Sequence, residues 1–275
     1  AMLCFIIAYH QLPSISYLGA HLWYELLFWG GGHALQYVFT GIAILAWVIL
    51  ADTLGLPLQD ARWWLYGCFA FQLVVALPLP FLYFIVDGID ATTSLFTDHM
   101  RYFNGVAPLI AGAMLSIACF RHFQAIRSQW LLGGCLLLSI VLFAYGGVLG
   151  YLISGINVTI PAHYHGSVVG ITLACMGLVY WAMPYFGYTR PVSFAAALQP
   201  WIYGGGQALH ITGLAWMGGY GALRKTAAST AHIDTLAGKL MFFSGGAFAI
   251  IGGLWFVVAV VWGMRQHQRL PSADE

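Results

Sequence analysis

Residues 161–186 read PAHYHGSVVGITLACMGLVYWAMPYF, with no Asp, Glu, Lys or Arg among them. A helix needs about 20 apolar residues to cross a bilayer, and this run is long enough. It carries two histidines, His163 and His165, close to its start. The rest of the chain repeats the pattern. Of 275 residues, 61% are hydrophobic and 7% charged, whereas about a quarter of a soluble domain's residues carry charge. The sequence therefore predicts an all-α polytopic transmembrane bundle of about seven to eight helices, residues 1–275 forming a single transmembrane domain. A first short helix ends near Tyr9. Full crossings follow at 22–51, 62–86, 93–120, 130–154, 161–186, 194–220 and 236–264. Gln11-Leu12-Pro13, Gly55-Leu56-Pro57, Asp87-Gly88 and Arg190-Pro191 punctuate them as turns, and the polar tail from Arg265 reads as solvated.

Several classes are excluded at this level. A net charge of +1 and the lack of any basic run argue against nucleic acid. Cys4, Cys68, Cys119, Cys135 and Cys175 form no Cys-x-x-Cys pair and lie in or beside apolar runs, where they read as small buried hydrophobes. The start, Ala1-Met2-Leu3, falls inside an apolar run without a charged n-region, so it does not read as a signal peptide. It reads as a chain whose beginning is missing. Arg62, Arg121, Arg127, Arg190, Arg265 and Arg269 fall on one side of the predicted crossings. Arg101, Arg224, Lys225 and Lys239 fall on the other. The positive-inside rule then places the C-terminus in the cytoplasm, consistent with a bacterial inner membrane, and puts His163 toward the outer face.

Ten histidines are many for so apolar a chain, and an ionisable residue inside a membrane marks a functional site by default. His163 and His165 are two residues apart, about 200° around a helix. They cannot share one metal, but each can face a different haem; alternatively both are interfacial histidines wetted by headgroups. His33 stands in Trp29-Gly30-Gly31-Gly32-His33-Ala34-Leu35-Gln36-Tyr37, where the glycines admit close approach of a neighbouring helix or a flat cofactor. Tyr37, four residues on, shares its face, and a pair hydrogen-bonded across helices is the plainer alternative. His210 follows Gly204-Gly205-Gly206-Gln207 and reads better as a hydrogen-bonding histidine than as a ligand.

Taken together these segments resemble heme-copper oxidase subunit I. The helix beginning Ala162-His163-Tyr164-His165-Gly166 and leaving through Trp181-Ala182-Met183-Pro184-Tyr185-Phe186-Gly187-Tyr188 is similar to the family's His-x-His helix and its Trp-Pro-Gly-Tyr exit. The resemblance implies that His163 holds a high-spin, oxygen-reactive haem and His165 a low-spin haem. Gly32-His33-Ala34-Leu35-Gln36-Tyr37 resembles the family's Gly-His-x-x-x-Tyr helix, which implies His33 as a copper ligand and Tyr37 as the tyrosine joined to it. His210-Ile211-Thr212-Gly213-Leu214 resembles a stretch near the haem propionates. The match covers nearly the whole chain and corresponds to the last eight of the family's twelve helices.

The pattern also breaks. The family's two adjacent copper histidines should fall near Phe81-Leu82, within Pro78-Leu79-Pro80-Phe81-Leu82, and no histidine is there. The copper site is therefore incomplete, since one histidine does not hold divalent copper. His99, some seventeen residues late, reads as a surface or helix-cap residue rather than a substitute ligand. Where the family has adjacent propionate arginines stand Gly218-Gly219-Tyr220; Arg224 and Lys225 come slightly later, read either as propionate partners through charge-assisted hydrogen bonds or as solvated loop charges. The low-spin haem's second histidine would lie before Ala1. Glu25 stands two turns before His33 as a proton-path or interface residue.

The implied activity is that of the catalytic subunit of a respiratory terminal oxidase, an oxidoreductase passing electrons from a cytochrome or quinol to dioxygen, with haem cofactors and protons drawn from the cytoplasmic side. Its partners would be other oxidase subunits, including one that delivers electrons, and the lipid bilayer. Two alternatives stand beside it: a degenerate haem-carrying electron-transfer or assembly subunit, and a nitric oxide reductase-like enzyme.

Overall fold

The computed structural model describes residues 1–59, 61–154, 157–221 and 236–266. Among them the chain is helical with no β-strand, an integral membrane bundle. The helices are α1 (Met2–Gln11), α2 (Ile15–Leu18), α3 (Ala20–Thr53), α4 (Arg62–Ala76), α5 (Ile89–His99), α6 (Val106–Arg121), α7 (Phe123–Ser128), α8 (Trp130–Tyr151), α9 (Thr159–Ala182), α10 (Phe194–Gly219) and α11 (Leu236–Arg265). Among the described residues six stretches are long and apolar enough to cross a membrane: Ala20–Thr53, Arg62–Phe84, Ile89–Arg121, Trp130–Tyr151, Thr159–Phe186 and Leu236–Arg265. α10 has 26 residues but is not among them, because Gln199, Gln207, His210 and its glycines dilute its apolar character. Trp63, Trp64 and Tyr66, all exposed, crowd the start of α4 beside Arg62, as amphipathic rings do at a membrane–water boundary.

The chain divides into two compact units, one of residues 1–44 and 59–114, the other of residues 45–58 and 115–275. In the first unit, Cys4, Ala34, Tyr37, Val75, Leu79, Leu82 and Phe96 form the buried core. The Trp29 indole N–H donates to the Thr93 carbonyl at 3.0 Å, joining α3 to α5. Pro78 and Pro80 deny the chain two backbone donors, and α4 passes into a 3₁₀ segment, Leu79–Phe84. After His99 the backbone widens into one π-helical turn, Met100–Asn104. Two of the glycines before His33 admit close approach of neighbouring elements, as the sequence suggested. A Cβ at Gly31 would strike the Phe5 ring, and one at Gly30 would meet Tyr83 and the Phe96 ring. Aromatic side chains of the same unit take up that space.

In the second unit the helices approach through glycines. A Cβ on Gly166 would lie 2.7 Å from the Gly146 nitrogen, and one on Gly170 would lie 2.7 Å from the Phe143 nitrogen. Small residues let backbones close where lipid supplies no hydrophobic drive for association. Buried polar side chains then act as ties. The Trp47 indole donates to Ser139 Oγ at 2.7 Å, and Ser139 donates to the Gly170 carbonyl at 2.6 Å. Tyr180 donates to Gln199 Oε1 at 3.2 Å, and Gln199 Nε2 donates to the Gly252 carbonyl at 3.0 Å, linking α9, α10 and α11. Arg190 closes the end of α9 by donating to the Tyr180 and Trp181 carbonyls at 2.9 and 3.3 Å, a cation set on the negative end of the helix.

Gly166→Val is expected to destabilise the chain by about 1–3 kcal/mol through overpacking, whereas Gly147→Ala, whose Cβ meets nothing within 4 Å, leaves stability unchanged. Thermal unfolding of the two variants in detergent measures the difference.

Candidate functional site

His163 lies in the second turn of α9, half-buried. Its Nδ1 is 2.6 Å from the Gly146 carbonyl on α8. A carbonyl only accepts, so Nδ1 carries the proton and donates, and a neutral ring then keeps Nε2 bare. The contact exists because the glycines bring α8 against α9. The ring also lies over Gly150, where a Cβ would stand 2.7 Å from Nδ1. Small residues below, a fixed tautomer and a lone pair at Nε2 are what a metal-binding imidazole needs, since such a ligand ordinarily donates its other N–H to a carbonyl or carboxylate.

Two other histidines have the same arrangement. His33, 9% exposed, donates from Nδ1 to the Trp29 carbonyl at 2.7 Å; its ring lies 5.1 Å from that of Trp29 and 6.4 Å from that of Phe96. His210 donates from Nδ1 to the Phe242 carbonyl at 2.9 Å. All three rings therefore present Nε2. His165 differs. It is exposed on α9, and its ring centre stands 4.9 Å from that of His210.

Tyr37 is 2% exposed, and its hydroxyl meets His99 twice: 2.8 Å to Nδ1 and 3.2 Å to the carbonyl oxygen. His99 does stand at a helix end, closing α5 and capping the π turn, but it is not a surface residue: it is half-buried. Nothing local in the sequence signals this, because the partners are 62 residues apart. Gln72, on α4, donates to the Tyr37 carbonyl at 3.3 Å and to Asn104 Oδ1 at 2.9 Å. Where the copper histidines were expected, Leu82 is buried in the first unit's core and Phe81 is exposed. Among the described residues no three His, Cys, Asp or Glu side chains gather around a point. Glu25 faces His21 at 3.8 Å on the exposed start of α3. Arg224 and Lys225, assigned from the sequence to the propionates, lie outside the described residues.

Known proteins resemble the chain without naming its activity. An uncharacterized protein of Rickettsia prowazekii (strain Madrid E) is 32% identical over 301 aligned positions, covering 94% of this chain and 58% of that protein. An uncharacterized protein of Aquifex aeolicus (strain VF5) is 27% identical over 189 positions, covering 68% of this chain and 45% of that protein. The chain spans about half the length of these curated relatives. No family model and no solved structure matches it.

The tautomers make a direct prediction. In protein labelled with ¹⁵N-histidine at neutral pH, His163→Gln and His33→Gln each remove one unprotonated Nε2 resonance and its partnered Nδ1–H resonance. A protonated Nε2 at either position would contradict the hydrogen bonding described.

Proposed function

We propose that this chain is the haem-binding catalytic subunit of a respiratory terminal oxidase, taking electrons from a cytochrome or quinol and reducing dioxygen. The observation that carries the reading is the His163–Gly146 hydrogen bond, which fixes a neutral ring with Nε2 free inside a transmembrane helix. The residues fit a haem on this side: His163 would hold its iron through Nε2, and Gly150 leaves the space that the imidazole occupies against α8. Haem, when bound, supplies the redox chemistry and the position for dioxygen. The chain's share is to hold that ligand as a neutral imidazole, to orient it, and to keep the surroundings apolar. His165, on the other flank of α9, is assigned to a low-spin haem. His33 is assigned to a non-haem metal as one ligand, and Tyr37 to electron and proton donation. Arg224 and Lys225 are kept for the propionates. Partner subunits, one of them delivering electrons, and a bacterial inner membrane with the C-terminus cytoplasmic complete the proposal; the loop arginines support that orientation.

One observation favours a second reading, a haem-carrying electron-transfer or assembly subunit that does not reduce dioxygen. Leu82 is built into a hydrophobic core where the family resemblance calls for a copper histidine, so His33 lacks its usual company.

A reduced-minus-oxidised visible spectrum of the purified protein, with and without carbon monoxide, separates the readings. An oxidase shows a haem band that shifts with carbon monoxide, lost in His163→Ala together with dioxygen consumption. A haem band indifferent to carbon monoxide points to the carrier, and no haem band at all sinks both. Gly150→Ala, which pushes a methyl against the His163 ring, weakens haem retention by roughly tenfold or more, while Gly147→Ala does not; haem-to-protein ratio after detergent washing reads the effect.

A further inference from the structure

The contact between Tyr37 and His99 is not explained by anchoring α3 to α5, which Trp29 and Thr93 already do. Tyr37 is almost wholly buried, and both contacts of its hydroxyl are to one residue. A phenol has one proton to give, so the two contacts admit two arrangements. In the first, the hydroxyl donates to the His99 carbonyl and accepts from Nδ1–H, leaving Nε2 bare. In the second, the hydroxyl donates to Nδ1, and the ring proton sits on Nε2. Both use a neutral ring. They differ by the movement of one proton from one side of the imidazole to the other. The π turn Met100–Asn104 begins directly after His99. Such single-turn insertions recur at functional sites because they turn a side chain away from its regular direction. Gln72 fixes the surroundings through the Tyr37 carbonyl and Asn104, the last residue of that turn.

We infer that His99 is the proton partner of Tyr37: it accepts the phenolic proton at Nδ1 when Tyr37 is oxidised, and passes a proton on from Nε2. The step balances as follows. The Tyr37 O–H bond breaks; the electron goes to a one-electron oxidant and the proton to Nδ1, giving an imidazolium. The Nε2–H proton then leaves to solvent, and His99 returns to neutrality as the other tautomer. Re-reduction of Tyr37 runs the same path backwards. His99 is a positioning and relay residue, since it acts through Tyr37. Under the proposed function the oxidant is dioxygen undergoing reduction. The pair itself rests only on its geometry, and any one-electron oxidant of sufficient potential will engage it.

The test uses the purified full chain without added substrate and a flash-generated ruthenium(III) polypyridyl complex as oxidant, so that it is independent of haem and of oxidase turnover. Tyr37 radical is taken as the electron-spin-resonance signal present in the parent and absent in Tyr37→Phe. His99→Gln keeps a side chain that can hydrogen-bond but cannot relay a proton, and is expected to slow formation of that radical by roughly a hundredfold. His99→Ala does the same, and added imidazole restores the rate. In the parent, formation is slower in deuterium oxide. A merely structural role for His99 predicts a parent-like rate in His99→Gln and no rescue by imidazole, and that outcome overturns the inference. If neither His99 variant folds, the parent labelled with ¹⁵N-histidine decides: a hyperfine coupling of the Tyr37 radical to a histidine nitrogen through an exchangeable proton upholds the inference, and its absence overturns it.

Discussion

The close approach of α8 and α9 at Gly146 and Gly166 is the contact on which the arrangement of His163 depends. In a bilayer a helix carbonyl is normally consumed by the N–H four residues on, and lipid offers nothing further. A carbonyl has two lone pairs, however, and one remains available to any donor that can reach it. Gly146 has no side chain to keep α9 away, so its carbonyl accepts from His163 Nδ1 at 2.6 Å. Enlarging either glycine would separate the two backbones and withdraw the acceptor. Helix packing and imidazole chemistry are therefore one constraint: the same missing side chains that pack the helices fix which nitrogen of His163 is bare.

That arrangement recurs. His33 on Trp29 and His210 on Phe242 are each held through Nδ1 by a main-chain carbonyl. A neutral imidazole inside a membrane has one donor and one acceptor to satisfy, and leaving either unpaired is costly. Backbone carbonyls can answer only the donor. The acceptor nitrogen then has to be answered by something else: water, a hydroxyl or a metal. The three histidines are thus structurally alike at Nδ1 and chemically open at Nε2, which is why their functional reading turns on what surrounds Nε2 and not on the hydrogen bonds that hold them.

Much of the bundle was legible in the sequence because its signal is compositional. The run from Ala20 to Thr53 and that from Thr159 onward are apolar over more than the thickness of a bilayer, and their ends carry proline, glycine or charge. The finer departures were not legible. No residue type in Met100–Asn104 marks a π turn, and the 3₁₀ passage after α4 shows in advance only as two prolines. The roles of particular glycines were half legible: Gly30 and Gly31 announce close approach, but not that Phe5 and Tyr83 are what approaches. The burial of His99 was missed because sequence distance hides contact. Its place at a helix end was legible, but its contact with Tyr37 shows only once α3 and α5 are side by side.

His163 and His165 show how far a local motif can carry an argument. Two residues apart on one helix, they point in directions about 200° different, so one helix delivers them to unlike surroundings. His163 turns to α8 and is locked. His165 turns outward, exposed, with His210 as its near neighbour at 4.9 Å between ring centres. Among the described residues no carbonyl holds a His165 nitrogen as Gly146 holds that of His163, so nothing there fixes its tautomer. The pair is therefore asymmetric in the protein itself, before any cofactor is considered. One member has its ring held by a main-chain carbonyl and its tautomer set by that bond. The other stands two residues away on the same helix with its ring exposed, so the chemistry of the two nitrogens at issue differs although the residue type is the same.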